Sequence, residues 1–161
     1  MHRNSYKLMR RFRDNYLDST KELSILDVGS YDVNGTYKDL FDNSNWTYTG
    51  ADIEKGNNVD IILKEKYNWE IEDNTYDVVI SGQCLEHVEE PWETIREITR
   101  IMKPESFCCI IAPWKEGIHR YPIDCWRILP DGINYLFNKN NIEMLECDVN
   151  RNDTFYIGKN N

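Results

Sequence analysis

Two histidines stand where proton transfer at neutral pH would need them. His87 lies in "SGQCLEHVEEP", and His119 opens the segment "HRYPIDCWRILPDG" (119–132). Histidine titrates near neutral pH, so either could take a proton from an attacking hydroxyl or ammonium. His119 is the first candidate for a catalytic base and His87 the second. Plainer roles stand beside these. His119 could bond Asp124 or a backbone carbonyl to hold its loop, and His87 could cap a helix that begins near Pro91. Tyr121, Asp124, Trp126 and Arg127 follow His119 closely and could face a pocket mouth as substrate-binding residues. Arg127 could hold a substrate carboxylate or phosphate, or pair with Asp124 or Asp131. Trp114, Tyr121 and Trp126 could stack on a sugar or ring, or seal a core edge.

A second group is acidic: Asp27, Asp32, Asp52, Glu54, Glu65 and Glu86. Each ends or follows an apolar run that reads as a strand. In open α/β sheets the ligand lies outside the carboxyl ends of the strands, so these acids should share one pocket. The stretch "SILDVGSYDVNG" (24–35) begins like a nucleotide-binding loop but lacks the G-x-G-x-x-G of a dinucleotide site. A pyrophosphate would meet repulsion among so many carboxylates. A ligand with a ribose, a positive charge and no phosphate fits better, and S-adenosyl-L-methionine has that chemistry. Asp52 could accept from both ribose hydroxyls.

The elements that must carry these residues alternate between strand and helix. Strands are expected at 23–28, 46–53, 59–63, 75–81 and 107–113, and short helical segments at 36–41 and from Pro130 to Phe137. Pro91 suits the first position of a helix, with Trp92, Ile95, Ile98 and Met102 as its buried stripe. The apolar runs 142–149 and 154–158 are separated by only a few residues, so they must pair as a hairpin. The pattern predicts an α/β fold with a doubly wound, Rossmann-like sheet, mostly parallel with one antiparallel strand near the edge. A basic amphipathic helix is expected over 1–18. Its stripe of Tyr6, Met9, Phe12 and Tyr16 marks a capping helix; its basic face could otherwise meet an anionic substrate or partner.

Bulk properties narrow the classes. A chain of 161 residues is expected to form one domain over 1–161. The net charge of −9 disfavours nucleic acid as a partner, and no N-P-P-Y-type sequence follows the fourth strand. No run is long enough to cross a bilayer and the N-terminus has no export signal, so a cytoplasmic location is expected. Five cysteines without a C-x-x-C pair read as free thiols. The histidines show no ligand spacing with them, so no metal site is expected.

The residues also resemble a known family. "SILDVGS", "YTGADIE", "TYDVVISGQCLEHVEEPWETIREITRIMKP" and "CCIIAPW" occur in order from about Leu23 to Trp114. In combination they are similar to small class I S-adenosylmethionine-dependent methyltransferases, of the type 11-like kind. The resemblance implies cofactor contacts residue by residue. Gly29, Ser30 and Tyr31 would lie against the methionine moiety, and Asp27 would meet its charged end. Asp52 would hold the ribose, Ile53 the adenine ring and Glu65 the adenine amino group. Gln83 and Cys84 would lie beside the sulfonium. Two departures stand out. The family's G-x-G-x-G is here Gly29-Ser30-Tyr31-Asp32-Val33, and its "LKPGG" turn reads "MKPES". The "H-x-Y-P-x-D-x-W-R" pattern also resembles methyltransferases found among polysaccharide and glycosyl-transfer enzymes.

The leading expectation is methyl transfer from S-adenosyl-L-methionine to a small-molecule or sugar acceptor. The alternative is a non-catalytic module of the same fold that binds a ligand or scaffolds partners. A nicotinamide-linked oxidoreductase is disfavoured by the acids and the missing glycines.

Overall fold

The computed structural model describes residues 3–161; residues 1–2 of the expected N-terminal helix lie outside the described residues. Seven strands form one sheet: β1 (Leu23–Val28), β2 (Trp46–Asp52), β3 (Ile61–Ile62), β4 (Tyr76–Gly82), β5 (Met102–Pro113), β6 (Ile142–Asn150) and β7 (Asp153–Asn160). Their order is β3-β2-β1-β4-β5-β7-β6. The first five pair in parallel, whereas β7 runs antiparallel between β5 and β6. The terminal hairpin therefore docks with its second strand inward, and the sheet is mostly parallel as the pattern predicts.

Strand residues alternate between two cores, because successive side chains point to opposite faces. Leu26, Val28, Val79, Cys108, Ile110 and Tyr156 face one layer. There they meet α2 (Pro91–Ile101) and α3 (Pro130–Lys139). Ile25, Val78, Ile80, Cys109, Ile111 and Phe155 face the other. That layer is closed by α1 (Arg3–Tyr16) through Leu8, Met9 and Phe12. Tyr6 and Tyr16 only flank this contact. The basic face of α1 is largely turned outward, although Arg11 pairs with Glu146 and lies over the Phe155 ring.

Three expectations need correction. Trp92 is not part of the buried stripe of α2, which runs through Pro91, Thr94, Ile95, Ile98 and Ile101. It sits one position off that stripe and packs edge-on against Trp126, with ring centroids 6.0 Å apart. Met102 is buried but begins β5 rather than ending the helix. The strand expected over 59–63 shortens to Ile61–Ile62; just before it, Asp60 donates its N–H to the Gly50 carbonyl and accepts from the Gly50 N–H on its carboxylate, each at 2.8 Å.

The altered "MKPES" turn has a visible backbone consequence. Glu105 adopts φ +64°, the left-handed region that favours glycine. Its carboxylate pairs with Lys159 at 2.5 Å, tying the turn to β7.

Among the described residues, no helix is long and apolar enough to cross a membrane.

Candidate functional site

The loops after β1, β2, β4 and β5 enclose a cavity of about 360 Å³ at the carboxyl end of the sheet. That volume falls within the range of about 300–1,000 Å³ usual for small-molecule sites. Its lining includes Asp27, Gly29, Ser30, Tyr31, Asp52, Ile53, Gln83, Cys84, His87, His119 and Tyr121. Most of the expected site residues are thus brought together. Glu65, Asp124, Trp126 and Arg127 do not contribute to the lining.

The β1 loop owes its path to one glycine. Gly29 has φ +79°, and a Cβ there would lie 2.5 Å from the Cys84 Sγ. The chain therefore needs glycine both for its backbone angle and for close approach to β4. Beyond it, Tyr31 lays its ring against Gly56 and donates its N–H to Asp52 Oδ2 at 3.1 Å. Gly35, with φ +126°, closes the loop by donating to Asp32 Oδ1 at 2.7 Å. Asn34 and Gly35 thus belong to this turn and to the cavity lining, ahead of the 3-10 turn at Lys38–Phe41.

A residue that sequence reading passed over locks this loop. The Asn58 amide Nδ2 lies within hydrogen-bond reach of the Ser30 carbonyl, Thr36 Oγ1 and the Tyr48 hydroxyl, at 2.9–3.0 Å. Ser30 returns a bond from its hydroxyl to the Asn58 carbonyl at 2.7 Å. Tyr48 in turn donates to Asp27 Oδ2 at 2.6 Å. Polar contacts here hold a loop that carries only the first glycine of the G-x-G-x-G pattern. Nothing in the sequence marked Asn58 or Tyr48, because each acts across a strand pairing rather than within a motif.

The electrostatics favour a cationic ligand. Burial pushes the Asp27 carboxyl up to about 7, against the lowering effect of the Tyr48 hydroxyl. Asp52 ends β2 and accepts from the N–H groups of Tyr31 and Glu54, one on each oxygen. Gln83 is held at φ +58°, and its Nε2 donates to Asp153 at 2.9 Å. Its Oε1 is buried without a hydrogen-bond partner. Burial also raises the Cys84 thiol to about 12, so this residue is a neutral wall and not a nucleophile. The cationic lining residues, among those described, are Lys66 and Arg120. The Lys66 ammonium is paired with Glu89 at 2.7 Å. Buried Glu97 anchors this side by accepting from the Trp69 N–H and from Arg100.

At the other end, burial pushes Glu86 up to about 8. Its carboxylate lies between His87 and His119, whose rings meet edge-on at 5.1 Å. The loop bearing His119 is clamped by Arg127, which makes a two-pronged pair with Asp124 at 2.6 and 2.8 Å. Arg127 also donates to the carbonyls of Glu116, Gly117 and Trp126. All five guanidinium N–H donors are thereby engaged within the loop. The same pair holds the Asp124 carboxyl well below its usual range. Asp124 also receives the His119 N–H at 2.7 Å. Trp126 donates its indole N–H to the Val88 carbonyl and closes the gap beside α2.

S-adenosylmethionine presents donors where this lining presents acceptors. Its ammonium and ribose hydroxyls can be met by Asp27, Asp52 and the unpartnered Gln83 Oε1, and it brings no phosphate into the acidic cavity.

Comparison with known proteins agrees with this geometry. A family model described as "Methyltransferase domain" matches residues 26–110. An uncharacterised methyltransferase of Schizosaccharomyces pombe is 36% identical over 56 residues, which cover 35% of this chain and 20% of that protein. A methyltransferase from Aquifex aeolicus, described as dependent on S-adenosylmethionine, superposes with a TM-score of 0.67. It has 16% identity, with 99% of this chain and 98% of that one covered. Phosphoethanolamine N-methyltransferase 2 of Haemonchus contortus, solved with S-adenosyl-L-methionine, has a TM-score of 0.72 and 12% identity. That match covers 98% of this chain and 52% of the other. A methyltransferase in complex with the Haloferax volcanii Trm112 activator gives 0.74 at 13% identity, with 97% of this chain and 90% of that one covered. At such identities the structural likenesses establish the fold, while the family match reaches the loops that line the cavity. The chain belongs to the class I S-adenosylmethionine-dependent methyltransferases.

Proposed function

We propose that the chain methylates a hydroxyl of a small acceptor of the sugar class. The observation that carries this reading is the acceptor end of the cavity, where His87, His119 and the half-exposed Tyr121 ring line one wall. Tyr121 offers a sugar ring a stacking face. Both imidazoles direct Nδ1 at a backbone carbonyl, Ile123 for His87 and Gly117 for His119. A carbonyl only accepts, so each neutral ring carries its proton on Nδ1 and leaves Nε2 as the acceptor. The bound cofactor supplies an electrophilic methyl on its sulfonium. In this reading Asp52 holds the ribose, Asp27 and Gln83 meet the ammonium, and Ile53 covers the adenine. His119 Nε2 receives the acceptor's hydroxyl proton, with His87 next in line. Positioning by the clamped loop supplies much of the remaining acceleration.

Calorimetry with S-adenosylhomocysteine, the demethylated product, tests the cofactor roles. We expect micromolar binding by the wild type and a loss of about 10–100-fold in Asp52→Ala, equal to about 1.4–2.7 kcal/mol; unchanged affinity would refute the ribose assignment. Transfer of labelled methyl groups to a panel of sugars, sugar nucleotides and small amines tests the acceptor. Product binding without transfer to any of them would favour the non-catalytic alternative.

A further inference from the structure

Glu86, His87 and His119 form a cluster that methyl transfer alone does not explain. One ligating atom from each lies within 4.8 Å of the others. Glu86 Oε1 stands 3.7 Å from His87 Nε2 and 3.9 Å from His119 Nε2. These gaps are too long for hydrogen bonds. The Glu86 side chain is fully buried, and neither of its oxygens has a hydrogen-bond partner.

The imidazoles are fixed from behind. His87 Nδ1 lies 2.6 Å from the Ile123 carbonyl and His119 Nδ1 lies 2.9 Å from the Gly117 carbonyl. With both rings neutral and Glu86 ionised, two Nε2 lone pairs and a carboxylate oxygen therefore converge with no donor among them. Such a convergence of acceptors is costly in a buried wall unless a positive charge joins it. A shared proton is too small to bridge the gaps.

We propose that Glu86, His87 and His119 bind a divalent transition-metal cation of the zinc class, through Glu86 Oε1 and the two Nε2 atoms. Two donors about 2.1 Å from one ion at a tetrahedral angle lie about 3.4 Å apart, and Glu86 Oε1 already stands 3.7 and 3.9 Å from the two Nε2 atoms. Two imidazoles and one carboxylate form a donor set suited to zinc, and a backbone carbonyl behind each Nδ1–H is the usual outer support of such ligands. Three protein ligands leave a position open. All three residues line the cavity, so that position is accessible to the oxygen of an acceptor. In the metal-loaded protein His119 would be a ligand and no longer the proton acceptor; the cation would acidify the acceptor hydroxyl, whose proton would pass to solvent water. The metal site stands on its own geometry, whichever acceptor is methylated.

The experiment strips the full chain with a chelator and titrates it with Co2+, followed by visible absorption, and with Zn2+, followed by calorimetry. We expect one ion per chain and the d–d bands of a low-coordinate Co2+ site. His87→Ala and His119→Ala should each weaken Co2+ binding more than about 100-fold, beyond the 10–100-fold typical of outer-shell changes. Cys125→Ser, which removes an exposed thiol, should leave it intact. S-adenosylhomocysteine binding by each variant shows that it folds and keeps this test separate from the methyl-transfer reading. A measurement without substitution accompanies these: Zn2+ should shift the imidazole proton signals of two of the three histidines. Absence of one-to-one binding by the wild type, retention in both histidine variants, or loss in Cys125→Ser would overturn the proposal.

Discussion

At one end of the cavity, Asp27, Gly29 and Asp52 come from the tips of β1 and β2, neighbours that pair in register along their whole shared length. At the other end, Glu86 and His87 follow β4 and meet His119 from a long loop that leaves β5. The first end is rigid because it is continuous with the sheet ladder. The second is rigid only because Arg127, Asp124 and a few carbonyls fasten its loop. Binding and chemistry should therefore be separable by mutation.

The largest expected effect breaks the first end. Gly29→Ala forces a side chain into a left-handed backbone and onto Cys84. It should reduce product affinity more than about 100-fold and destabilise the chain by roughly 2–3 kcal/mol, by calorimetry and thermal melting. His119→Ala should leave that affinity within about threefold; an equal loss in both would erase the distinction between the ends. Next, Arg127→Lys keeps the charge but loses the fork that engages Asp124 and three carbonyls. Turnover should fall by about 100-fold from misplacement of the loop, with product affinity unchanged.

A smaller effect follows from Asp27. Its folded-state value of about 7 lies above the ordinary carboxylate value. A ligand ammonium prefers the ionised form. Product affinity should therefore fall by up to about tenfold per pH unit below 7 and level off above it. In the ligand-free chain the native state binds more protons than the unfolded state between about 4 and 7, so stability should decline as pH rises through that window. Asp27→Asn should flatten the affinity profile and reduce the stability slope, leaving the part that Glu86 contributes up to about pH 8. The smallest change is Tyr48→Phe, which removes the hydroxyl that bonds Asp27 and Asn58. It should cost about 1 kcal/mol in stability and move the midpoint of the affinity profile upward.

The alternation of apolar runs determined the mostly parallel sheet, because each strand must offer both faces to a helix layer. The short link between the last two runs determined their antiparallel pairing, since it leaves no room for a crossover. The strand-end rule likewise exposed Asp27, Gly29 and Asp52, whose neighbours in space are neighbours along paired strands. Other features depended on tertiary contacts. Asn58 and Tyr48 act across β2 and its following loop, where no spacing in the chain announces them. Arg127 and Asp124, readable as ligand-binding residues, turn to each other because the loop folds back on itself. Glu86 and the two histidines become one cluster only when the β5 loop closes over the end of β4. Hydrogen bonds and charges between distant segments decide such placements, and their partners are chosen by the folded path rather than by spacing along the chain.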